Sequence, residues 1–87
     1  MELNCWIYRS PRKDEMYLYV AKEDDFSSVP NVLLEKFGTP AKVMALTLNS
    51  NRTLAREDVA VVMENLTHQG FHLQMPPKMD VDLYTGD

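Results

Sequence analysis

The sequence predicts an α/β fold: a single small domain in which a four-stranded sheet forms the middle of a three-layer α/β/α sandwich. Three observations lead there. Short runs of strand-forming residues alternate with two helical patterns in the order β-β-α-β-α-β. Three of those runs are apolar on both faces, which calls for cover on both sides of the sheet. Finally, 87 residues with 45% apolar side chains suffice for one core. The alternative arrangement sets both helices on one face and leaves Trp6, Tyr17 and Tyr19 partly exposed as a binding surface.

Each element follows from local chemistry. Leu3 to Tyr8 alternates Leu3, Cys5 and Ile7 with Trp6 and Tyr8, and Tyr17 to Ala21 alternates in the same way. The polar stretch Arg9 to Asp14 between them contains Pro11, so the pair reads as an antiparallel hairpin. Glu23-Asp24-Asp25 ends the second strand. Ser27, Ser28 and Pro30 then serve as capping and first-turn residues for a helix that buries Val29, Leu33 and Phe37 and stops at Gly38, with the acids set against its positive end. Lys42 to Leu48 is a third strand with apolar residues on both faces. Asn49 to Arg52 turns the chain, and Glu57-Asp58 open a second helix whose stripe is Val59, Val62, Met63 and Leu66, ended by Gly70. Phe71 to Met75 is the fourth strand, closed by Pro76-Pro77. Met44, Met63 and Met75 fall at expected core positions. The domain therefore spans 1–77, and the acidic stretch 78–87 reads as a flexible tail.

Charge and composition narrow the activities. Nine basic against thirteen acidic residues give −4, which disfavours adsorption to nucleic-acid backbones or anionic membranes. No run approaches the roughly 20 apolar residues of a membrane span, and the N-terminus lacks the pattern of a secretion signal. The one cysteine, Cys5, has no partner for an internal disulfide. A cytoplasmic protein is expected, more a monomer than an oligomer, with no membrane association.

The ordered set Tyr8-Arg9-Ser10, Tyr17-Leu-Tyr-Val20, Asp24-Asp25-Phe26, Val29-Pro30, Phe37-Gly38, Asp58, Leu66, Gly70, Leu73-Gln74 and Pro76-Pro77 resembles the YcgL domain family of small gammaproteobacterial proteins. The resemblance covers all but the last ten residues. It implies an α/β/α sandwich around a four-stranded sheet, in agreement with the reading above, and it implies a fold more than an activity. Family members are often encoded near a ribonuclease D gene, which implies RNA metabolism by association. The segment Asn49 to Thr53 lacks the Asp-Gly turn associated with relatives.

The sequence has no nucleophile set beside a base, no metal-ligand spacing and no glycine-rich phosphate loop, so no cofactor and no metal are expected. His68 and His72 have the spacing of a zinc pair, but Gly70 between them ends the helix and parts the rings. His72 is expected at a polar or edge position. Cys5 alternates with Leu3 and Ile7 and reads as a small buried hydrophobe. Asp24 and Asp25 suit helix capping and loop solvation, with an accessory factor or metal-dependent hydrolase in RNA metabolism as the alternative. Tyr8, Tyr17 and Tyr19 with Arg9 are the most suggestive constellation, since phenols and a guanidinium bind phosphates, carboxylates or bases. Ordinary half-buried strand packing accounts for the tyrosines as well. The expected function is a non-enzymatic binding or regulatory module. Its cleft lies between the hairpin and the last strand, and Tyr8, Arg9, Tyr17, Asp25 and Gln74 are its ligand-binding residues. The expected partner is a protein, with the open edge of the last strand as a place for strand addition. RNA bound through Arg9, Arg12 and Lys13 is the weaker alternative.

Overall fold

A computed structural model describes residues 2–76. The expected tail 78–87 and Pro77 lie outside the described residues. The elements follow the predicted order: β1 (Leu3–Arg9), β2 (Tyr17–Val20), α1 (Asn31–Phe37), β3 (Ala41–Leu48), α2 (Val59–His68) and β4 (Phe71–Gln74). The strands form one antiparallel sheet in the order β3-β1-β2-β4.

Alternation along β1 and β2 sorts the core into two halves. On one face Cys5, Ile7 and Tyr19 pack with Leu48 and with Val62 and Leu66 of α2. On the other, Tyr8, Leu18 and Val20 pack with Met16, Val29 and Phe37, joined by Leu33 and Leu34 of α1. One helix per face makes the three-layer sandwich. At seven residues α1 is too short to persist alone, so its stability comes from this packing. The hairpin loop secures its end. Ser10 Oγ donates to the Phe37 carbonyl at 2.6 Å and accepts from the amides of Arg12 and Lys13.

Two local expectations are corrected and a third is refined. First, β3 is not covered on both sides. It is a sheet edge, its residues 41–45 are exposed, and Val43 and Met44 are 49% and 45% accessible. Contact of β3 with the α2-side core is at its far end, through Leu46 and Leu48. A register shift opposite Ile7 and Tyr8, with Lys42 alongside, interrupts this edge as edge strands commonly require. Met44 and Met75 are accordingly exposed, and of the three expected core methionines only Met63 packs against the core. Second, α1 begins after Pro30 with no side-chain cap and no acid in its first turn. The serines lie in a preceding turn, where Asp25 Oδ1 accepts from the Ser27 amide at 3.0 Å and from its hydroxyl at 2.6 Å. The capping chemistry read from the sequence is real, but it closes an Asx turn rather than a helix. Third, His72 stands on the edge strand β4, as expected, and is buried there, for reasons given below.

Candidate functional site

Sheet register decides which candidate residues meet. Arg9 pairs with Tyr17 across β1 and β2, and Tyr17 pairs with Gln74 across β2 and β4. Directly opposed residues in antiparallel strands share a face and lie about 5 Å apart. Arg9, Tyr17 and Gln74 thus form one row across the α2 face. The previous row, Met44-Ile7-Tyr19-His72, runs deeper.

Between these rows and the segment leading into α2 lies a groove of about 260 Å³, lined by Ile7, Tyr17, Tyr19, Val43, Met44 and Gln74 on the sheet side and by Leu54, Ala55 and Arg56 opposite. Its floor is held rigidly. The Tyr19 hydroxyl donates to Gln74 Oε1 at 2.8 Å in a buried contact, and burial pushes the Tyr19 phenol up to about 12. Gln74 is 8% exposed, and its Nε2 has no hydrogen-bond partner among the described residues. Nor is that nitrogen sealed from solvent. At the rim, Arg56 Nη1 donates to Glu15 Oε1 at 2.8 Å and joins the hairpin loop to the α2 approach. Arg9 is exposed and forms no ion pair among the described residues.

Tyr8 and Asp25 are placed elsewhere. Tyr8 belongs to the α1 face and is 2% exposed. Its hydroxyl donates to Asp24 Oδ1 at 2.8 Å and accepts from the Asp24 amide at 2.7 Å, while Phe26 meets its ring edge-to-face at 4.8 Å. Burial first, then the carboxylate, raises the Tyr8 phenol, and the same hydrogen bond lowers the Asp24 carboxyl. Lys42 bridges Glu23 and Asp24, so this acidic turn is tied to β3. Asp25 is committed to Ser27, which lowers its carboxyl too, and it borders a smaller depression of about 210 Å³ with Lys22, Ser28 and Gly70. The aspartates therefore serve the loop between β2 and α1, each through a different partner.

The sequence reading missed a second polar group beside the groove. His72 Nε2 lies 2.5 Å from Glu57 Oε1, its Nδ1 lies 2.9 Å from the Asn65 side-chain nitrogen, and Tyr19 packs edge-to-face on the ring at 5.4 Å. Both ring nitrogens are thus occupied, and the cluster fastens β4 to α2 and to the residue preceding its N-cap, Asp58. Alternation in Phe71-His72-Leu73-Gln74 was the available signal, since it puts His72 on the face of Gln74. Only the strand neighbours show that this face is buried. Arg56, Leu54 and Met44 had no signal, because they reach the groove through chain crossing and β1–β3 pairing. Cys5 is fully buried, and burial pushes its thiol up to about 11, which leaves it an unreactive thiol at neutral pH.

No helix among the described residues is long and apolar enough to cross a membrane. The YcgL domain family profile matches residues 5–77. The chain is 58% identical over 80 residues to a YcgL domain-containing protein of Pseudomonas entomophila, covering 92% of this chain and 82% of that one. It is 58% identical over 77 residues to one of Pseudomonas paraeruginosa, covering 88% and 79%, and 54% identical over 80 residues to one of Pseudomonas putida, covering 92% and 82%. The matched stretch includes every strand pair that builds the groove, and with a profile of that extent and relatives of that similarity the chain belongs to the YcgL domain family.

Proposed function

We propose that this protein is a small cytosolic, non-enzymatic binding module that takes its ligand in the groove between the Arg9-Tyr17-Gln74 row and Leu54–Arg56. The observation carrying this reading is a conjunction on one face: Tyr17 and Gln74 line a groove with apolar walls, Arg9 stands opposite Tyr17, and Arg9 and Gln74 Nε2 lack protein partners among the described residues. Binding sites pair apolar walls with a few polar groups in this way. A binding role suits the chemistry better than catalysis, because the carboxylates, the histidine and the buried tyrosine nearby are engaged. Glu57 faces His72, Glu15 faces Arg56, and the Tyr19 hydroxyl faces Gln74.

The test is capture from native cytosol on immobilised protein, comparing wild type with an Arg9→Ala, Tyr17→Ala double variant after thermal melts confirm that both are folded. A protein or small molecule retained by wild type and lost by the variant is the expected outcome. Identical or empty captures from two folded proteins would remove the groove as the site.

A further inference from the structure

The unengaged donors beside the groove narrow the ligand. Two acceptors are already engaged, Gln74 Oε1 by Tyr19 and Glu15 Oε1 by Arg56. Unengaged among the described residues are the Arg9 guanidinium, which stands opposite Tyr17 beside the groove's lining, Gln74 Nε2, and the Tyr17 hydroxyl; the first two only donate. A ligand satisfying them must present acceptors. Its charge is bounded as well. Glu15 pairs with Arg56, which leaves Arg9 beside the groove without an ion pair among the described residues, and Glu57 is held on His72 and does not line the groove. One guanidinium flanked by neutral donors matches a planar monoanion, which arginine holds by two parallel hydrogen bonds. A phosphate dianion would call for a second free cation or a nest of backbone amides, and Arg56, the cation of the lining, is already paired with Glu15. The walls are Ile7, Val43, Met44 and Leu54, and the volume of about 260 Å³ lies just below the range of roughly 300–1,000 Å³ typical of drug-sized ligands.

Resting on the binding role proposed above, we infer that the ligand is a small free organic acid: a carboxylate set against Arg9, Tyr17 and Gln74, carried on an apolar body that lies over Met44 and Leu54. Tyr17 provides both a hydroxyl for the carboxylate and a ring edge for the body. Exposure of Val43 and Met44 on the β3 edge is then the open half of a wall that the ligand completes.

Amide chemical-shift titration of the full chain tests this with four probes: phenylacetate, its uncharged isostere phenylacetamide, phenyl phosphate, and an acetylated tripeptide ending in a free phenylalanine carboxylate. Phenylacetate is expected to shift the amides of Tyr17, Met44, Ala55 and Gln74, to bind at least tenfold more tightly than phenylacetamide, and to lose at least tenfold in Arg9→Gln. Arg12→Gln, a charge removed from the same hairpin outside the groove, is expected to leave its affinity unchanged. Equal binding of the amide, tighter binding of the phosphate, binding of the tripeptide alone, or no shift with any probe at millimolar concentration would each overturn the assignment of a small free acid. A selective capture in the preceding experiment would still stand in those cases, so failure of the ligand class and failure of the site are separable.

Discussion

Tyr8 illustrates how one hydroxyl can be structural while its neighbours in sequence face a groove. It is buried on the α1 face and satisfies two Asp24 groups, the carboxylate and the backbone amide, at a residue whose φ of 58° is unusual for a side chain other than glycine. Tyr8→Phe removes both bonds and is expected to cost about 1–2 kcal/mol, read from urea unfolding at pH 7. The variant also carries a pH signature. Folding lowers the Asp24 carboxyl, chiefly through the Tyr8 hydrogen bond and secondarily through Lys42, so the associated stability is present above the unfolded value of about 3.9 and is lost as the pH falls through the lower folded value. The acid limb of stability against pH should be shallower in Tyr8→Phe than in wild type. Parallel limbs would mean that Lys42 alone sets the carboxyl. Arg9, one position along, points to the opposite face by the period of two, and no composition argument separates the two residues. Their separation follows from which face each helix covers.

Among the elements, the joint between α2 and β4 is the most constrained. Gly70 has a φ of +85°, donates its amide to the Asn65 and Leu66 carbonyls, and accepts from the Ala21 amide at 3.2 Å. A Cβ there would lie 2.8 Å from Ser28 Cβ, so both conformation and space require glycine. Gly70→Ala is expected to destabilise by at least about 1–2 kcal/mol from backbone strain alone. Adding Ser28→Gly should recover part of the loss, by removing the clash and leaving the strain. Full recovery in the double variant would show that the backbone tolerates the angle and that the clash was the whole cost. The glycine was legible in the sequence as a helix stop, because a stop signal is local. Its close approach to Ser28 was not, since that depends on how the β2–α1 loop crosses the sheet end. The β3 edge teaches the converse. Its two apolar faces were read as buried, but periodicity reports what a strand can bury and not its place in the sheet.

For the whole molecule, two small cores on either side of one sheet must carry the stability of a short chain. Phe37 is fully buried in the α1-side core and ends a helix that depends on it. Phe37→Ala is expected to cost about 3–5 kcal/mol, a large share of the roughly 4–13 kcal/mol expected at this size. Its thermal midpoint, followed by circular dichroism, should drop by more than about 15 °C. A drop of only a few degrees would mean that α1 and its core are peripheral to the cooperative unit. By itself the sequence determined the order and type of all six elements, the stops at Gly38 and Gly70, and the alternation that needs a helix on each face. These are properties of near neighbours, set by backbone sterics, capping and the periods of strand and helix. Only the tertiary structure decided the strand order β3-β1-β2-β4, the exposed edge, the burial of His72 on Glu57, and the row that brings Arg9 and Tyr17 beside Gln74. Those depend on pairings between residues far apart in the chain, whose energies come from shared burial and cross-strand contact, and no local preference encodes which strand lies next to which.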